Sequence, residues 1–256
     1  MPPEGSGKVW LVGAGPGAAD LLTLRAARLI GSAEALLYDA LVSEAVLAMA
    51  PAACLTIQTG KRAGRASMKQ ETINRLTLRL ARRGLKVVRL KGGDPSIFGR
   101  VGEEQAYLLA HGIQTEVVPG VTAACAAAAQ FGFPLTHRGA ARRVVFTTAR
   151  LQEGRLTTDW RAAGDHEATL AIYMGRDCAA ALAEALIAQG RPASTPALAV
   201  ENAGSPQARL SRGRLRDLGE FAAGTSGGPV LFVIGEVAAL ARMSDQSSAE
   251  PTAALG

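Results

Sequence analysis

Four short aliphatic runs in this chain end in a glycine-bearing corner. VGAGPG (residues 12–17) closes KVWLVG, KGGD (91–94) closes KVVRLK, PGVTAA (119–124) follows QTEVV, and YMG (173–175) follows EATLAI. Glycine loses more backbone freedom on folding than any other residue, so glycines gathered at strand ends mark sharp turns or close backbone approach. Amphipathic stretches lie between the runs. Strand–helix alternation of this kind gives a mainly parallel sheet covered on both faces. The strands are KVWLVGAG, EALLYD, ACLTIQ, KVVRL and QTEVVP. The helices are ADLLTLRAARLIGSA, SEAVLAMA, residues 68–83, residues 102–111, and GVTAACAAAAQF.

The pattern changes at GFPLTHRGAARR (132–143), which is punctuated by Gly, Pro and clustered Arg. Beyond it come RVVFTTA, EATLAIYMG, a helix over about 177–189, PALAVE, QARLSRG, a short helix and GPVLFVIGE. More strands per helix predict a mixed sheet. The expected organisation is α/β in two domains, 8–135 and 136–243, with 1–7 and 244–256 as flexible tails. A ligand cleft between two such halves is the general expectation.

Charge narrows the partners. Residues 60–100 hold twelve Lys/Arg against two Asp/Glu. Such a stretch suits a polyanionic partner. Arg75, Arg79 and Arg82 are spaced as one helix face opposite Ile73, Leu76 and Leu80, and that part reads as a solvated surface. Nucleic acid is not expected, because Phe98 is the one aromatic residue of the stretch and single-strand binding relies on interleaved aromatics. Cys54, Cys125 and Cys178 form no CxxC pair, and His111, His137 and His166 lack ligand spacing, so no metal is expected. Neither a signal region nor an 18-residue apolar run is present. The expectation is a cytoplasmic protein without membrane association.

Gly13-x-Gly15-x-x-Ala18 fits a loose dinucleotide fingerprint, with Asp39 ending the second strand as a ribose acceptor. An NAD-linked oxidoreductase is therefore one reading. Pro16 opposes it, because it offers no N–H where a phosphate would need one. Ligands of open parallel sheets sit beyond the carboxyl ends of the strands. Several glycine corners at those ends suit a compact, kinked ligand better than an extended dinucleotide.

VGAGPG, YDALVS, GKRAG, LKGGDPxIFGR, VVPGVTAA, PLTHR and YMG occur in one order over residues 8–235. With them the chain resembles the tetrapyrrole (precorrin) methyltransferase family, and GKRAG, LKGGDP and PLTHR resemble its members that act on uroporphyrinogen III. The resemblance implies the two-domain tetrapyrrole methyltransferase fold, a homodimer, and S-adenosylmethionine bound in a cleft between the domains, leaving S-adenosylhomocysteine. It implies methylation of uroporphyrinogen III at C2 and C7 to precorrin-1 and then precorrin-2, which feeds sirohaem, cobalamin or haem d1 synthesis. Another precorrin C-methyltransferase is the nearest alternative. It also implies a stand-alone enzyme without the dehydrogenase–ferrochelatase module of some relatives.

On the same resemblance, Pro16, Gly92, Gly93, Asp94, Ile97, Thr122, Ala123, Met174 and Ala203 match cofactor contacts. Asp39 and Lys61 match the positions proposed as base and acid; Asp39 reads equally as a turn or capping carboxylate, and Lys61 as a substrate ligand. Uroporphyrinogen III carries eight carboxylates, which explains a basic site. Arg62, Arg65, Arg100 and Arg138, in or beside loops, are the expected substrate contacts. Two positions depart from the family pattern. Ala203 stands where relatives carry glycine, a strained choice only if its φ is positive. Val101 replaces a glycine after FGR.

Overall fold

The computed structural model describes residues 7–60, 68–149, 151–152, 155–156 and 164–242. The chain forms two compact units. One comprises residues up to Ala126 together with Asn202–Ala208. The other comprises Ala127–Glu201 and the residues from Arg209 onward. The division falls inside a helix, a few residues before the Gly/Pro/Arg-rich stretch.

The first unit carries a five-stranded, wholly parallel sheet of β1 (Val9–Gly13), β2 (Ala35–Tyr38), β3 (Leu55–Gln58), β4 (Val87–Lys91) and β5 (Thr115–Val118), in the order β3-β2-β4-β1-β5. Its helices are α1 (Leu24–Ile30), α2 (Glu44–Leu47), α3 (Gln70–Arg82) and α4 (Val101–Ala110), and α5 (Ala123–Gln130) begins in it. Successive strand residues face opposite sides. Val12, Leu36, Val88 and Leu90 pack with Ala26, Ile30 and Val46 of α1 and α2. Leu11, Leu37 and Val87 pack with Leu78, Leu80 and Leu108 of α3 and α4. This two-sided burial is why the strands read as continuous apolar runs.

Capping sets the helix starts. The expected first helix is broken: a 3₁₀ turn at Ala19–Leu21 precedes α1, which begins after Thr23, whose Oγ1 accepts the Ala26 N–H at 3.1 Å. Ser43 opens α2 in the same way and donates to the Gly17 carbonyl at 2.6 Å. On α3, Arg75, Arg79 and Arg82 are exposed while Ile73 and Leu80 are buried, as their spacing implies.

The second unit holds the expected mixed sheet. Its strands are β6 (Arg143–Thr148), β9 (Ala168–Tyr173), β10 (Pro196–Glu201), β11 (Arg209–Arg214) and β12 (Val230–Ile234), in the order β11-β10-β12-β9-β6. The β6–β9 pair is parallel and the remaining pairs are antiparallel. Two-residue strands β7 (Leu151–Gln152) and β8 (Arg155–Leu156) pair separately. Helices α6 (Ala179–Ala188) and α7 (Leu218–Ala223) cover Leu170, Ile172, Phe232 and Ile234. No helix among the described residues is long and apolar enough to cross a membrane.

Candidate active site

Strand order brings three glycine corners together. β4, β1 and β5 are neighbours, so their carboxyl ends deliver Lys91–Asp94, Gly13–Gly17 and Pro119–Val121 to one place. Gly93 and Gly15 exchange two backbone hydrogen bonds, 2.7 Å from the Gly93 N–H and 3.2 Å from the Gly15 N–H. Both sit in left-handed backbone, at φ 68° each. At Gly13 the need for glycine is different. A β-carbon there would lie 2.6 Å from the Gly120 N and Cα and 2.7 Å from the Gly93 oxygen. The three corners therefore close backbone against backbone.

Two carboxylates fix this arrangement. Asp94 Oδ2 accepts the Gly120 N–H at 3.0 Å, and its Oδ1 accepts the Ser96 N–H at 2.7 Å. Asp39, after β2, accepts the Gly92 N–H at 2.9 Å on Oδ2 and the Leu41 N–H at 2.9 Å on Oδ1. Each thus ties one strand end to another while closing its own turn. A carboxylate offers about four lone-pair sites, so each keeps acceptor capacity for a ligand. The glycine pair at 92–93 has two separate reasons. A β-carbon on Gly92 would meet Leu41 Cβ at 2.7 Å, and Gly93 needs its left-handed φ.

The dinucleotide reading fails here on hydrogen-bond grounds. The N–H groups of Ala14, Gly15 and Ala18 are taken by the carbonyls of Lys91, Gly93 and Gly204. Pro16 has no N–H, and a 3₁₀ turn follows instead of an α-helix. A pyrophosphate cradle needs those donors at a helix N-terminus.

The remaining expected residues lie as follows. Pro16 and Ile97 are half-buried, as is Ala123 at the start of α5, and Thr122 is 8% exposed. Ala203, in the segment that joins the first unit, has no positive φ; that conformation falls on its neighbours Asn202 and Gly204. The methyl of Ala203 therefore carries no backbone strain. Gly204 is the position that tolerates no side chain, since a β-carbon there would run into the ring of Pro16. Val101 opens α4 and packs on the core beneath α3 and α4. In the second unit, Met174 follows β9 with φ 57° and an exposed side chain. Arg138 is exposed in a turn closed by His137 and Ala141. Lys61, Arg62 and Arg65 lie outside the described residues. Among the described residues no cluster of His, Cys, Asp or Glu could hold a metal ion.

Arg100 sits in an unusual turn. Phe98 and Arg100 both have left-handed backbone, φ 56° and 57°. Arg100 binds Glu103 through two hydrogen bonds, Nε to Oε1 at 2.8 Å and Nη2 to Oε2 at 2.6 Å. The Arg100 hydrogen bonds hold the Glu103 carboxyl below its ordinary value. The sequence reading missed this pair, which the Arg-x-x-Glu spacing at a helix start could have found.

Below the corners lies a buried charged group that composition alone misreads as surface. Arg89 and Lys91, two of the twelve basic residues in the 60–100 stretch, are 5% and 4% exposed. Glu104 of α4 receives Lys91 Nζ at 2.9 Å on Oε2. Its Oε1 receives Gln70 Nε2 at 3.0 Å and Arg89 Nε at 3.4 Å.

Residues 8–219 match the family model for Tetrapyrrole (Corrin/Porphyrin) Methylases. The chain belongs to this family. It is 46% identical over 239 residues to a uroporphyrinogen-III C-methyltransferase of Paracoccus denitrificans, which covers 93% of this chain and 83% of that one. It is 46% identical over 237 residues to a siroheme synthase of Chromobacterium violaceum, covering 92% of this chain and 50% of that one. The chain thus spans about half the length of that siroheme synthase. Among solved structures, a uroporphyrin-III C-methyl transferase from Thermus thermophilus complexed with S-adenyl homocysteine superposes with a TM-score of 0.79 at 43% identity, covering 91% of this chain and 100% of that one.

Proposed function

We propose that this protein methylates uroporphyrinogen III at C2 and C7, giving precorrin-1 and then precorrin-2, with S-adenosylmethionine as methyl donor. The observation that carries the reading is the knot of glycine corners at the carboxyl ends of β4, β1 and β5, laced by Asp94 and Asp39. It leaves the spare lone pairs of Asp94 and Asp39 at the place where open parallel sheets bind ligands. The relatives from Paracoccus and Thermus support the same reading.

S-adenosylmethionine supplies, when bound, a methyl group on a sulfonium. The residues of the corners fit it: Asp94 keeps lone pairs for a ribose hydroxyl or an ammonium, and Pro16, Ile97, Thr122 and Ala123 offer small or apolar surface beside it. Met174 and Ala203 complete the proposed contacts. The pyrrole carbon of a reduced macrocycle is itself electron-rich, so the chain's task is to align the partners and keep water out. A proton must also leave the macrocycle. Asp39, with spare lone pairs at a strand end, is the proposed acceptor, and Lys61 the proposed acid or carboxylate ligand.

Arg100 and Arg138 are exposed and are proposed to bind substrate carboxylates together with Arg62 and Arg65. A homodimer in the cytoplasm serving sirohaem, cobalamin or haem d1 synthesis completes the proposal. Anaerobic incubation with uroporphyrinogen III and S-adenosylmethionine, followed by mass spectrometry of the tetrapyrrole, tests it. The expected result is a gain of two methyl groups. Binding of S-adenosylhomocysteine without any methyl gain would reject the substrate and point to another precorrin.

A further inference from the structure

We propose that Lys91 is a positioning residue for substrate recognition: by reaching Glu104 beneath Gly99, it holds the left-handed turn that presents Arg100. The inference rests on Arg100 being a tetrapyrrole contact, as proposed above. Left-handed backbone at two non-glycine residues persists only where the surroundings over-determine it. Here the surroundings can be named. The Lys91 stem lies under Gly99 beside the Pro95 carbonyl: an added β-carbon would run into that carbonyl and come within 3.2 Å of Lys91 Cε. Its ammonium, on a side chain 5% exposed, is held by Glu104, 3% exposed. The Glu104 and Glu103 N–H groups in turn donate to the Arg100 carbonyl, at 3.4 and 3.2 Å. One side chain thus links the end of β4, the floor of the turn and the first turn of α4.

The charge itself argues for a role beyond filling space. The cluster sets two cations against one carboxylate, and burial together with Arg89 pushes the Lys91 ammonium below its ordinary value, against the pull of Glu104 and Asp39. Methionine would fill the same volume with no charge to desolvate. What it would lack is the reach to Glu104. The cofactor corner has separate anchors, Gly93 to Gly15, Asp94 to Gly120 and Gly92 to Asp39, so loss of Lys91 acts on residues 98–100 in particular.

Two variants distinguish this from general stability. Lys91→Met and Arg89→Met each leave one buried cation opposite Glu104, and only Lys91→Met removes the link to the turn. Lys91→Met is expected to speed amide hydrogen exchange at Phe98–Arg100 and to raise the uroporphyrinogen KM about tenfold, with S-adenosylhomocysteine Kd within about threefold of the parent. Arg89→Met is expected to do neither. Lys91→Met combined with Arg100→Ala should be no worse in KM than Arg100→Ala alone. Unchanged exchange in Lys91→Met, or equal effects from Arg89→Met, would overturn the proposal. Faster exchange with unchanged KM would overturn the recognition role. If Arg100→Ala itself leaves KM unaltered, the reading of Arg100 as a substrate contact falls and the recognition role with it; the exchange data then judge the strut alone. Lys91→Gln gives the same comparison should Lys91→Met not fold.

Discussion

Gly13→Ala and Gly93→Ala place the same methyl group in one corner knot for different physical reasons, and they should differ in cost. At Gly93 the nearest atom to an added β-carbon is Thr122 Cα at 3.8 Å, an ordinary contact, so the penalty is torsional, from φ 68°. Left-handed backbone costs an L-residue about 1–2 kcal/mol, partly offset by about 0.4–1 kcal/mol from a stiffer unfolded chain. The net is about 1 kcal/mol. At Gly13 the backbone has no positive φ, but Gly120 N and Cα and the Gly93 oxygen, at 2.6 and 2.7 Å, would have to retreat. Reaching normal separation requires a shift of roughly 0.8 Å. Overpacking costs about 1–3 kcal/mol. The same shift weakens the bonds from Gly15 to Gly93 and from Gly120 to Asp94, worth about 1 and about 2 kcal/mol. Less the same gain of about 0.4–1 kcal/mol from a stiffer unfolded chain, the total is about 4 kcal/mol, or a fall in Tm of about 12 °C against about 3 °C for Gly93→Ala. Differential scanning calorimetry reads the stability, and titration with S-adenosylhomocysteine should show the larger affinity loss in Gly13→Ala. If Gly13→Ala were as mild as Gly93→Ala, the account of backbone-to-backbone closure would be wrong.

Arg100→Ala and Arg138→Ala should each raise the uroporphyrinogen KM about tenfold or more while leaving S-adenosylhomocysteine affinity within about threefold, measured by steady-state kinetics and calorimetry. Ala203→Gly should cost about 1 kcal/mol from a lost buried methyl and a looser unfolded chain, with cofactor affinity retained, because its torsions never required glycine. Burial pushes the Glu201 carboxyl up, but donors from Ser226 and Gly228 outweigh it and hold the group below its ordinary value. Its stabilisation is therefore present above the unfolded pKa, about 4.5, and is lost as pH falls through the lower folded value. Glu201→Gln should cost about 2 kcal/mol at neutral pH, with the gap to the parent closing in acid denaturation below that point. The depressed pKa of Lys91 marks a cost rather than a stabilisation, and stability again rises with pH. Its cost is fully present below the folded value and is relieved as pH rises toward 10.5, so urea unfolding should show the parent gaining on Lys91→Met toward alkaline pH.

How much the sequence disclosed depended on whether a feature was local. Strands and helices were legible because periodicity and capping are short-range; Ser43, at the head of SEAVLAMA, marks a helix start by its own chemistry. The first helix was read too long, since nothing in ADLLTLRAARL marks a break until Thr23 is seen to cap. The glycine corners were legible as constrained positions but not in kind. Gly92, Gly93 and Gly13 look alike in a string, whereas one avoids Leu41, one needs a left-handed φ, and one meets the backbone of two other strands. Leu41 lies 51 residues from Gly92, and Gly93 and Gly120 lie 80 and 107 residues from Gly13; only the order β2-β4-β1-β5 brings them together. Asp39 and Asp94 show the same limit. Each was a candidate by type and place, yet both oxygens of each already hold backbone N–H groups. Any ligand they bind must accept a geometry those bonds have fixed beforehand, which makes each carboxylate as much a frame for the site as a contact within it.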